Sequence, residues 1–173
     1  MRPNLVLIGF SATGKSAVAR LLAQWSGWVA VDTDELIVAR AGRTIPDIFE
    51  RDGEATFRDL EATVLAEALA GERRVVATGG GAVLREGNRV LMKTRAQVVL
   101  LEARPETILA RLQAVAPSEP RPLLAGDDPL TKIKNLKATR QPIYEAVADL
   151  TVHTDDQTIT QIAVAVLAAI GKT

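Results

Sequence analysis

Cysteine is absent from this chain and histidine occurs once, at His153. Those two gaps remove disulfides, thiol nucleophiles, Cys/His zinc sites and acid–base chemistry by a pair of histidines. Any chemistry must run on carboxylates, lysine, arginine, hydroxyls and the backbone. Long apolar runs are missing as well. The longest, Ile162 to Ile170, is far below the ~18 residues of a membrane span, and Leu5 to Ile8 is too short for the apolar stretch of a signal peptide. Net charge is also lacking: 21 basic side chains stand against 21 acidic ones, so no global field draws the chain to nucleic acid or anionic lipid. Aromatics are few, with three Phe, two Trp and one Tyr, which again argues against nucleic-acid recognition. The expectation is a cytoplasmic protein with neither membrane nor nucleic acid as a partner. It is expected to be a monomer, since no long exposed apolar stripe is evident.

What is present is ordinary globular material: 173 residues, 47% apolar and 24% charged, enough for one domain with a buried core. Short apolar runs at Leu5–Ile8, Val29–Val31, Val75–Ala77, Val98–Leu101 and Leu150–Val152 alternate with amphipathic or alanine-rich segments. Strands alternating with helices predict an α/β fold, a parallel sheet covered on both faces. Val18, Leu21, Leu22 and Trp25 recur at helical spacing, which predicts a helix buried on that side. A second helix is predicted from about Glu54 to Ala70, stopping at Gly71. Asp128 before Pro129 reads as a cap opening another, and Pro142 predicts a kink or restart before Ile143. The last helix is expected from about Thr158 to Ile170. The segment 115–128, with three prolines and one glycine, has no periodicity and reads as a mobile loop, a lid.

Gly9-Phe10-Ser11-Ala12-Thr13-Gly14-Lys15-Ser16 fits G-x-x-x-x-G-K-[ST] between a predicted strand and a predicted helix. Such a loop turns successive N–H groups and a helix N-terminus toward one anion. Lys15 then reaches the outer phosphates and Ser16 ligates Mg²⁺. Nucleoside triphosphate binding is the firmest reading of these residues. Asp32 and Asp34 close the second run, and residues two apart on a strand share a face. At the carboxyl ends of parallel strands they overlook the ligand crevice, one suited to Mg²⁺ and the other to a substrate hydroxyl; the plainer alternative is that Asp34 caps a helix. Gly79-Gly80-Gly81 follows the third run, and three glycines there imply that something approaches the backbone closely. Arg58 and Glu61 are spaced as an ordinary surface ion pair. Arg121 in the proposed lid and Arg140 before the proline are guanidinium forks suited to carboxylate or phosphate.

Taken in order, these motifs resemble the shikimate kinases, within the nucleoside monophosphate kinase-like P-loop proteins. The resemblance rests on Gly9 to Ser16, Asp32-Thr33-Asp34, Ile48-Phe49-Glu50 through Gly53-Glu54 to Phe57-Arg58 and Glu61, Gly79 to Gly81, Arg121-Pro122-Leu123-Leu124, and Arg140 with Tyr144. It implies a three-layer P-loop kinase fold with a central five-stranded parallel sheet, a lid and a helical substrate-binding region at about 34–70. It implies transfer of the γ-phosphoryl of ATP to the 3-hydroxyl of shikimate, with one Mg²⁺, in the pathway to aromatic amino acids. Matched residue by residue, Lys15 stabilises the transferring group, Ser16 and Asp32 hold the metal, and Asp34 contacts the reacting hydroxyls as candidate base. Arg58, Arg140 and Gly79, Gly80 and Gly81 bind shikimate, with Glu61 orienting Arg58. Ala12, Thr13, Gly14, Lys15, Ser16 and Ala17 form the ATP loop. Arg121 closes over the phosphates, and Arg111 and Gln157 lie on the adenine side. Ala12 departs from the family, where a glycine is frequent, and so does Ala17, where many members have Thr. Rival readings are a kinase of gluconate or of a nucleoside monophosphate, or a nucleotide-dependent switch.

Overall fold

In the computed structural model, which describes residues 2–114 and 128–171, the five apolar runs become five strands of a single sheet. They are β1 (Asn4–Ile8), β2 (Val29–Asp32), β3 (Arg74–Ala77), β4 (Ala96–Glu102) and β5 (Leu150–His153). The order is β2-β3-β1-β4-β5 and every pairing is parallel. The chain therefore leaves β1, returns beside it as β3, and crosses to its other side as β4. The crevice at the carboxyl ends beside β1 is the switch point at which ligands bind in open sheets of this kind.

Alternation along each strand divides the core. Leu5, Leu7, Val75, Val99 and Leu101 face one side, against Val18 and Leu22 of α1 (Lys15–Ser26) and Ile162 and Val166 of α7 (Ile159–Ile170). Val6, Ile8, Val76, Val98 and Leu100 face the other. They meet Leu65 and Leu69 of α3 (Ile45–Ala70), Met92 of α4 (Glu86–Arg95) and Tyr144 and Val147 of α6 (Pro129–Val147). A smaller cluster of Ile37, Ile48, Phe57 and Val64 holds α2 (Thr33–Ala41) to α3. Phe10 packs with Ile108 and Leu112 of α5 (Pro105–Ala114) and Ile133 of α6. Among the described residues no helix is long and apolar enough to cross a membrane.

Several elements differ from the expectation. Trp25 is 45% exposed, because Ala19 and Ala23 supply the contact face and let α1 lie close against the sheet. The helix expected from Glu54 begins at Ile45, capped by Thr44, whose hydroxyl accepts from Asp47 N at 3.3 Å. Gly53 breaks it at φ 82°, ψ 169°, backbone that only glycine adopts readily. Pro142 ends nothing: α6 runs through it to Val147. Asp128 does cap α6, accepting from Thr131 N at 3.0 Å, and Thr158 caps α7 with Gln161 in a reciprocal box. The expected lid, including Arg121, lies outside the described residues apart from Asp128.

Candidate active site

Three loops meet at the carboxyl ends of β1, β2 and β3. The loop after β1 curls through positive φ at Gly9 (139°), Ala12 (60°) and Gly14 (96°) and leads into α1, whose first-turn N–H groups have no acceptor within the helix. Lys15 is 8% exposed and donates to the carbonyls of Gly9 at 3.0 Å and Phe10 at 2.7 Å. Burial pulls its pKa down to about 8, against the opposing charges of Asp34 and Asp32. Ser16 Oγ donates to Asp32 Oδ2 at 2.5 Å.

Ala12 sits in left-handed backbone at φ 60°, a conformation that costs a non-glycine residue ~1–2 kcal/mol. Ala12→Gly is expected to stabilise the protein by about 1 kcal/mol, read as a higher urea midpoint. An unchanged or lower midpoint would mean that the loop is not strained there. Arg111 helps hold this turn, donating to Ala12 O at 3.2 Å, Thr154 Oγ1 at 3.0 Å and Thr154 O at 2.5 Å. Gln157 is exposed in the turn before α7, and Ala17 is exposed on the first turn of α1.

Asp32 and Asp34 do not share a strand face. Asp32 ends β2 and caps α2, its Oδ1 accepting from Asp34 N at 3.0 Å and Glu35 N at 3.3 Å. Asp34 therefore projects from the first turn of a helix, half-buried in the cleft. Burial, with Asp32 and Glu61 nearby, pushes its pKa up to about 6, while Lys15 and Arg58 oppose the rise.

The glycine run is required for space. A Cβ on Gly79 would stand 2.7 Å from Asp34 Oδ1 and 3.1 Å from Glu61 Oε1, and one on Gly81 would overlap the Arg58 guanidinium. The close approach inferred from the three glycines is thus made by the protein's own charged side chains. Arg58 and Glu61 are no surface pair. Glu61 is 1% exposed, and its Oε2 accepts from Arg58 Nη1 at 2.8 Å. Among the described residues its Oε1 has no hydrogen-bond partner. Burial raises the Glu61 pKa, and the Arg58 hydrogen bond and charge pull the other way. Arg140 lies over the Phe10 ring, 5.9 Å from its centroid. Among the described residues it forms no ion pair with a carboxylate. Phe49 and Phe57 stack with centroids 4.5 Å apart, and the Arg58 guanidinium lies over the Phe57 ring, 5.2 Å from its centroid.

Two contributors have no role in the sequence reading. Thr33 is fully buried, and its hydroxyl accepts from Gly79 N at 3.2 Å, tying α2 to the glycine run. Tyr144 donates to Gly80 O at 2.5 Å. Thr33 lies between two aspartates in the sequence, a usable signal. The Tyr144 contact joins residues 64 apart and has no local one.

A phosphate-type loop with a buried lysine faces a half-buried carboxylate, and beyond it stand two arginines and a run of close-packed backbone. That combination, on this parallel sheet, is the one a P-loop kinase presents. The shikimate kinase family model matches residues 11–171. The shikimate kinase of Symbiobacterium thermophilum is 46% identical over 90% of this chain and 89% of its own length. That of Caldanaerobacter subterraneus is 39% identical over 98% and 96%. Among solved structures, the shikimate kinase of Acinetobacter baumannii in complex with shikimate superposes with a TM-score of 0.91 at 37% identity, covering 99% of this chain and 94% of that one. This chain belongs to the shikimate kinase family.

Proposed function

We propose that this protein, acting in the cytoplasm as a monomer, transfers the γ-phosphoryl group of ATP to the 3-hydroxyl of shikimate. The products are shikimate 3-phosphate and ADP, on the route to the aromatic amino acids. The observation that carries the reading is the gathering of Arg58, Arg140 and the Gly79–Gly81 backbone beside Asp34, directly across the cleft from Lys15. Asp34 lies close enough to Lys15 for each to move the other's pKa.

The first-turn amides of α1 and the loop N–H groups bind the phosphates. Lys15 leaves the carbonyls of Gly9 and Phe10 and turns to the transferring group, where charge develops in the transition state. Arg111 and Gln157 border the adenine. Arg58 and Arg140 grip the acceptor carboxylate, since a guanidinium matches a carboxylate fork to fork. Glu61 holds Arg58 in place. That grip sets the 3-hydroxyl against Asp34, which accepts its proton as the oxygen attacks in line.

Ser16 and Asp32 offer only oxygen ligands, 2.5 Å apart, the donor type that Mg²⁺ takes together with substrate phosphates. When bound, such an ion neutralises phosphate charge. Ser16 and Asp32 would hold it.

Phosphorus NMR of the product tests the acceptor atom. The reading expects coupling to the ring proton on the carbon bearing the 3-hydroxyl, and coupling to a proton at another hydroxyl-bearing carbon contradicts it. The pH profile tests the base and the lysine together. Asp34 must be ionised and Lys15 protonated, so kcat/KM for ATP should be bell-shaped with apparent limbs near pH 6 and 8. A flat profile between pH 5 and 9, a range that spans about one unit beyond each limb, would contradict these roles.

A further inference from the structure

α6 carries Arg140 and, one turn later, Tyr144, the only tyrosine in the chain. The Tyr144 ring is buried in the core beside residues such as Ile8, Leu100 and Val147. A phenylalanine would fill that space equally well. The hydroxyl instead emerges from the core at the glycine run, where it donates to Gly80 O at 2.5 Å.

That bond acts on more than the carbonyl. A peptide group is planar and trans, so Gly80 C=O and Gly81 N–H lie on one rigid plane and point in opposite directions. Holding the carbonyl fixes the direction of the Gly81 N–H. Among the described residues no protein acceptor takes the N–H of Gly80 or of Gly81, and a peptide between two glycines has little steric resistance to flipping. Arg140 reaches the same peptide: a Cβ on Gly80 would be 3.5 Å from its Nη1, and both its charge and a side-chain hydrogen bond from it act on the Tyr144 hydroxyl.

We propose that Tyr144 is a positioning residue for the acceptor's carboxylate. Its hydroxyl fixes the Gly80–Gly81 peptide so that the Gly81 N–H and the Arg140 guanidinium converge on one anion. This rests on the reading of Arg58, Arg140 and the glycine amides as the carboxylate grip. Tyr144→Phe removes one oxygen and leaves the core packing intact. It is expected to raise the KM for shikimate about tenfold, the loss of roughly one such hydrogen bond, with kcat and the KM for ATP within about twofold. A purely structural hydroxyl would lower Tm, and it would move both KM values alike or neither.

Arg140→Ala separates the two claims. If it raises the shikimate KM and Tyr144→Phe does not, the Tyr144 assignment falls and the carboxylate grip stands. If Arg140→Ala leaves the shikimate KM unchanged, the grip itself falls. A measurement on the unmutated chain guards against misfolding of the variant. With 3-fluorotyrosine incorporated, the protein gives one fluorine resonance, from position 144. Shikimate is expected to shift it and a non-hydrolysable ATP analogue alone is not. No shift with saturating shikimate overturns the proposal.

Discussion

Asp34→Asn is expected to abolish most of the activity and to make the protein more stable. Loss of a general base costs about 10²–10⁴-fold in rate, and Asn cannot accept the proton of the attacking hydroxyl. Stability moves the other way because of where the Asp34 charge lies. Its carboxyl titrates near 3.8 in an unfolded chain and near 6 in the fold, chiefly through burial. The folded state thus holds the proton more tightly, and stability falls as pH rises between those values. Above them the ionised group disfavours folding by up to about 3 kcal/mol. The neutral amide escapes that cost, so at pH 7 Tm should rise by several degrees, and the gain should vanish below about pH 4. A variant that is inactive and also less stable at neutral pH would show that Asp34 is a structural residue. Active sites hold groups that the fold alone would not choose.

Arg58→Ala is expected to fail on two counts that can be pulled apart. Losing a guanidinium grip on a carboxylate should raise the KM for shikimate about 100-fold, the equivalent of roughly 3 kcal/mol of charge-assisted hydrogen bonding. The KM for ATP should hardly change. Stability should also drop, by about 3–5 kcal/mol if the buried partner stays ionised, because Glu61 is 1% exposed and loses its bond to Arg58 Nη1. Without Arg58 the Glu61 carboxyl loses the strongest interactions that pull its pKa down and keeps only the charges of Arg140 and Arg85, so the deficit should shrink as pH falls and the carboxyl becomes neutral. Adding Glu61→Gln to Arg58→Ala should restore much of the stability and none of the shikimate affinity. Recovery of both would mean that Arg58 serves the fold alone.

The strands were legible because each is a short run of branched apolar residues bounded by polar ones, and β1 with its glycine-lysine loop was legible as a unit. Asp34 was misplaced because the strand's two-residue period was carried one step beyond the strand. Asp32 with Glu35 three residues on is a helix-start signal, and it marks the point where the period changes. The Arg58–Glu61 pair read as a surface feature because i, i+3 spacing says nothing about what lies above the helix; here Gly81 does. Tyr144 illustrates the opposite case. Its partner is a backbone carbonyl brought near by sheet order, and no local pattern encodes such a contact.

The central claim is that one cleft holds both the phosphate loop and a grip specific to shikimate. The most direct test is ADP release from Mg-ATP with shikimate, beside gluconate, AMP, CMP and no acceptor, repeated on Asp34→Asn and Arg58→Ala. The account predicts turnover with shikimate alone, nearly lost in Asp34→Asn and restored in Arg58→Ala only at much higher shikimate concentration. Turnover with another acceptor, or Arg58→Ala behaving as the unmutated protein, would contradict it.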